Sequence, residues 1–138
     1  METNDMTCPF CKSHDEDKAH LFFTCANILP LWWESRSWVN VVGAFSENPK
    51  QHFLQHSYYN LSGLRLQWWQ TWWIALTWCI WQHRNRMVFQ NESFNRHKVM
   101  EDALFYWWTW LKNLEKGFDI LFHSWSNNIR DSFCVEGG

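Results

Sequence analysis

The recurrence of apolar positions predicts a chain that is mostly helical. The clearest stretch runs from about Leu64 to about Phe89. At about 100° per residue, Trp68, Trp69, Trp72, Trp73, Ala75, Leu76, Cys79 and Ile80 fall on one broad face. Gln67, Gln70, Thr71, Thr77 and Gln82 fall on the other. Ile74, Trp78 and Trp81 intrude on that polar side, which therefore calls for a second layer of the fold or a partner. A second long helix is predicted from about Arg96 to about Lys116, with Gly117 able to end it. Its apolar face carries Val99, Met100, Ala103, Leu104, Trp107, Trp110, Leu111 and Leu114; Lys98, Glu101, Asp102, Thr109, Lys112 and Asn113 oppose it. The short polar run from Gln90 to Asn95 between the two predicts an antiparallel hairpin.

Upstream, a helix is expected from about Lys18 to about Val42, kinked or split at Pro30 and stopped by Gly43. The acidic run Asp15-Glu16-Asp17 is a natural start for it. A shorter helix after Pro49, carrying Phe53, Leu54 and Tyr58, has Ser46 as its cap candidate. Residues 1 to 17 read as a turn-rich knuckle. The expected organisation is a knuckle and the start of the first helix over 1–33, a Trp-rich helical bundle or hairpin over 34–125, and a loose polar tail over 126–138.

Composition sharpens this picture at two points. The chain has 138 residues, enough for one domain with a real core, and 13 of them are Trp. The formal net charge is −2, so global electrostatics do not draw the protein toward nucleic acid.

Definite chemistry is confined to the N-terminal cysteines. Cys8, Cys11, His20 and Cys25 follow the spacing C-x2-C-x8-H-x4-C, a four-ligand set of the kind that holds a structural Zn²⁺. Two thiolates on one tight turn and a His/Cys pair about one helical turn apart can close a tetrahedron. His14 competes with His20 for the nitrogen position. A redox dithiol is the alternative for the C-x-x-C pair, but no Val/Ile-rich strand precedes Cys8. A disulfide framework is disfavoured by the odd count of 5 Cys and by the polar, acidic start from Met1 to Met6, which also points to an intracellular chain that is not secreted. Cys79 is expected to serve as a small hydrophobe in a helix, and Cys134 to lie unpaired in the tail.

A family resemblance rests on two segments. Cys8-Pro9-Phe10-Cys11, an acidic spacer, His20-Leu21-Phe22-Phe23-Thr24-Cys25 and then Leu31-Trp32 resemble the zinc-binding domain found after the reverse transcriptase in plant LINE-type retroelements. Ile80-Trp81-Gln82-His83-Arg84-Asn85, closing at Phe89, resembles that family's downstream Ile-Trp-x-x-Arg-Asn-x-x-x-Phe segment. The resemblance favours His20 over His14 as the ligand. With Met1 only seven residues before the first ligand, no polymerase fits ahead of the knuckle, so the resemblance implies a detached C-terminal piece. Such a piece is either a retroelement remnant or a short reading frame adapted to another use.

No catalytic constellation is legible: there is no G-x-S-x-G, P-loop or H-E-x-x-H, and four protein ligands would leave a metal no open position. The chain is therefore expected not to be an enzyme. For weak RNA or DNA contact the candidates are Arg84, Arg86, Arg96 and Lys98, in a strip that also holds His83 and His97; the alternative is an ordinary solvated loop. Phe10, Phe22 and Phe23 supply aromatics near the knuckle, but Asp15, Glu16 and Asp17 oppose phosphate there. Leu66 to Gln82 has no charge, yet it is short for a membrane span and rich in Gln, Thr and Trp, so a span is not expected. Two readings result. One is a non-catalytic zinc-binding module derived from a retroelement, with weak nucleic-acid contact. The other is a helical protein that docks a protein partner, a copy of itself or a membrane through its Trp-rich face.

Overall fold

The computed structural model describes residues 7–39, 48–54, 63–114, 122–127 and 129. Among them the architecture is helical and carries no strand, only an isolated antiparallel bridge between Thr7 and Asp15. A π-helical turn at His20–Thr24 follows the knuckle. After it come α1 (Leu29–Val39), α2 (Pro49–Leu54), α3 (Gly63–Gln90), α4 (Arg96–Leu114) and α5 (Phe122–Ser126).

The predicted hairpin is α3 and α4. Trp69, Trp72, Ala75, Leu76, Cys79 and Ile80 are buried on α3, and Val99, Met100, Ala103, Trp107 and Leu111 on α4. Asn91 closes α3 in the left-handed region (φ 62°), which Asn tolerates better than most residues. Asn95 then caps α4, its Oδ1 accepting the Lys98 N–H at 3.1 Å. The loop is anchored from below by His83, whose Nε2 accepts the Asn95 N–H at 3.0 Å.

At the centre of the core four indoles meet from four helices. Trp72 and Trp107 lie with ring centroids 5.0 Å apart, Trp38 of α1 stacks on Trp107 at 5.8 Å, and Trp125 of α5 meets Trp107 edge-on at 4.7 Å. Buried indole N–H groups need acceptors. Trp72 donates to Ser35 Oγ (2.8 Å), Trp107 to the Trp68 carbonyl (3.0 Å) and Trp32 to the Phe22 carbonyl (2.8 Å). Thus α1 and α5 supply the second layer of the bundle, and they cover Trp107 and Trp72 rather than Trp78. Ile74, Trp78 and Trp81 remain on the surface.

Two expectations are corrected, and one core residue was not foreseen. The helix expected from Lys18 is two elements: the chain breaks after the π turn, where Cys25 takes an extended ψ of 135°, and Pro30 sits in the first turn of α1, where its missing N–H costs nothing. The cap of α2 is Asn48, whose Oδ1 accepts the Gln51 N–H at 3.0 Å; Ser46 lies outside the described residues. His52 is a core residue. It stacks on Phe23 at 4.1 Å and accepts the Trp73 indole N–H at 2.8 Å, fastening α2 to the knuckle and α3. Val42, Gly43, Tyr58, Lys116, Gly117, Cys134 and the end of the tail also lie outside the described residues. No described helix is long and apolar enough to cross a membrane.

Candidate metal centre

The C-x-x-C turn is built by backbone hydrogen bonds and one unusual residue. Lys12 N–H donates to the Cys8 carbonyl (2.8 Å) and Cys8 N–H to the His14 carbonyl (2.8 Å). Lys12 takes φ 58°, a left-handed conformation that costs a side-chain-bearing residue about 1–2 kcal/mol. That reversal sends the chain after Cys11 back alongside the turn, where the His14 carbonyl meets the Cys8 N–H and Asp15 bridges Thr7. Asn27 Nδ2 donates to the Phe10 carbonyl at 2.6 Å and holds the turn against the segment after Cys25.

The other two members of the cluster come from the π turn, and its winding matters. Five residues of α-helix rotate by about 500°, which would leave His20 and Cys25 roughly 140° apart. Here the Cys25 N–H donates to the His20 carbonyl (2.8 Å), an i→i+5 ring that brings Cys25 back over His20. Asp17 starts the turn by accepting the His20 N–H at 2.8 Å, as the acidic run predicted.

The Sγ atoms of Cys8, Cys11 and Cys25 and a ring nitrogen of His20 all lie within 4.8 Å of one another. Cys8 Sγ and Cys25 Sγ are 3.9 Å apart, and Cys11 Sγ is 3.3 Å from His20 Nε2. Around tetrahedral zinc, bond lengths of about 2.3 Å to sulfur and about 2.0 Å to nitrogen give edges of about 3.8 Å and about 3.5 Å. The donor set and its spacing therefore fit a four-coordinate zinc ion. Thr24 Oγ1 lies 3.4 Å from His20 Nδ1, so with a metal bound a proton on Nδ1 would leave the Nε2 lone pair free to ligate it. His14 stands alongside, its ring 5.0 Å from that of His20 and its Nδ1 3.9 Å from Cys11 Sγ, but outside the four-atom cluster.

The three thiols differ. Burial pushes the Cys8 thiol up, and burial together with the charges of Cys8 and Cys11 pushes Cys25 up to about 12. At Cys11 burial raises the value, but contacts from the Ser13 N–H, His14, His20 and Cys25 outweigh it and bring the thiol down to about 5. Cys11 is thus the most readily ionised of the three, and a bound cation would favour loss of the protons from Cys8 and Cys25. Cys79 is buried on α3, away from the cluster, with burial pushing it up to about 12.

The knuckle is fastened to the hairpin by residues of the second motif segment. Phe10 lies between His83 and Phe94, at 6.2 and 5.3 Å. Phe22 lies 6.2 Å from Trp81. Arg84 holds Glu16 through two hydrogen bonds of 2.7 and 2.9 Å. The expected basic strip is accordingly dispersed. His83 is fully buried, Arg84 is tied to Glu16, Arg86 pairs with Glu92 (3.3 Å), and Lys98 pairs with Asp102 (3.2 Å). Arg96 is exposed at the start of α4. The signal for these pairings was partly legible as an acidic spacer and a basic segment, but not their mutual contact. No family model, curated protein or solved structure matches this chain.

Proposed function

We propose that this chain is a non-catalytic zinc-binding module of the kind that follows the reverse transcriptase in plant LINE-type retroelements. The observation that carries the reading is the convergence of Cys8, Cys11, His20 and Cys25 to within 4.8 Å. Zinc held there by four protein groups supplies folding energy and has no open position for water or substrate. The two motif segments behind the family resemblance touch each other through Phe10–His83, Phe22–Trp81 and Glu16–Arg84, so they form one structural unit with the metal centre. Weak contact with RNA or DNA belongs to the start of α4, where Arg96 is exposed and Lys98 is about half exposed beside Asp102, because Arg84 and Arg86 are more shielded against Glu16 and Glu92.

Hydrogen exchange on the zinc-loaded chain, before and after chelation, tests this role. Loss of protection in the π turn and α1, with α3 and α4 still protected, is the expected result. An exchange pattern indifferent to chelation would leave the cluster without a structural part to play.

A further inference from the structure

We propose that the outward face of α3 is a self-association seam that docks α3 of a second copy of the chain. On this face Ile74, Trp78, Trp81, Asn85 and Val88 recur at alternating steps of four and three, the 3.5-residue repeat that keeps one stripe facing a partner helix. The stripe continues toward the N-terminus with Thr71 and Gln67 and carries no charged residue at any position. A solvated helix face ordinarily carries charge.

The seam is open. Ile74, Trp78, Trp81 and Val88 are 49, 46, 40 and 46 % exposed, and Phe89 beside them is 75 % exposed. Among the described residues no hydrogen bond or ring contact engages Trp78. The opposite side of α3 is fully used by α4 and the core indoles, so this face cannot turn inward.

Three features favour a copy of the same chain as the occupant. The stripe positions themselves carry no charged side chain, and the neighbouring Arg84, 5.0 Å over the Trp81 ring, is already paired with Glu16, so two copies can meet with little like-charge repulsion. Asn85, whose Oδ1 accepts from Arg84 Nη1 at 2.9 Å, is the polar member of the stripe and the type of residue that fixes register between paired helices. The exposed parts of the five apolar side chains come to roughly 500 Å² per copy, so a two-fold pair buries about 1,000 Å², the threshold of a stable specific interface. This proposal is independent of the metal reading.

Sedimentation equilibrium of the zinc-loaded full chain across the micromolar range tests it. The wild type should fit a monomer–dimer equilibrium. Trp78→Glu should weaken it by about thirtyfold or more, as expected for a central aromatic anchor. Ile74→Lys should act the same way, and serves if Trp78→Glu loses its helical circular dichroism. Phe105→Glu, at a similarly exposed aromatic on α4, should leave the dimer intact. A monomeric wild type overturns the proposal. So does a dimer indifferent to Ile74→Lys, or one lost equally with Phe105→Glu. A wild-type monomer that instead sediments with anionic phospholipid vesicles assigns the face to a membrane surface and overturns it as well.

Discussion

Arg84 of α3 grips Glu16 of the knuckle with Nε at 2.7 Å and Nη2 at 2.9 Å, a bidentate pair that spans 68 positions of sequence. Both side chains are about four-fifths shielded from solvent, so the pair is screened less than an ordinary surface bridge. Removing one partner strands the other. Arg84→Gln is expected to cost about 1–3 kcal/mol in chemical denaturation. Glu16→Gln should cost a similar amount, and the double variant should cost less than the sum of the two singles.

Trp72 and Trp107 are the hub of the core. Trp72→Ala removes an indole in contact with Trp38 and Trp107 and takes away the donor to Ser35. The expected loss is about 3–5 kcal/mol, read as a lowered denaturation midpoint. Trp72→Phe keeps most of the ring packing and should cost clearly less. A Trp72→Ala protein as stable as wild type would place the core elsewhere.

The long elements and the Cys/His cluster were legible because each has a local signature. Apolar periodicity marked α3 and α4, and Cys and His spacing marked Cys8, Cys11, His20 and Cys25. The misjudged residues are those whose roles depend on distant partners. His83 and Arg84 look like members of a basic strip until Phe10, Phe94 and Glu16 are brought against them. His52 looks idle until Phe23 and Trp73 enclose it. The π winding at His20–Thr24 has no sequence mark other than an x4 ligand spacing that an α-helix would not satisfy. Trp78 stayed ambiguous because periodicity tells which face it is on, not what covers that face.

His83 sets a pH dependence. Burial first, and then the nearby Arg86 charge, hold its imidazole below the ordinary value of about 6.5. The folded state therefore binds this proton less readily than the unfolded chain. Its contribution to stability is fully present above about pH 6.5 and is lost as pH falls toward and through the depressed folded value. An NMR titration should find His83 neutral where an exposed histidine is already half protonated. Titration of His83 at or above the ordinary value would contradict the half-buried Asn95–His83 hydrogen bond.

Nucleic-acid contact, where it occurs, should follow the exposed cations. Arg96→Gln with Lys98→Gln is expected to weaken binding of single-stranded RNA or DNA and to reduce its salt dependence by about one ion per lost phosphate contact. Arg84→Gln should act on stability instead. Fluorescence anisotropy at two salt concentrations separates the cases. Binding that survives the double change but fails on zinc removal would move the contact to the knuckle.

The central claim is that Cys8, Cys11, His20 and Cys25 hold one metal ion. Elemental analysis of the purified chain, alongside Cys11→Ser, tests it most directly. One tightly bound zinc per wild-type chain is expected, with its loss in Cys11→Ser and a helical hairpin that survives by circular dichroism. A wild type without stoichiometric zinc, or a Cys11→Ser protein that keeps it, would contradict the assignment.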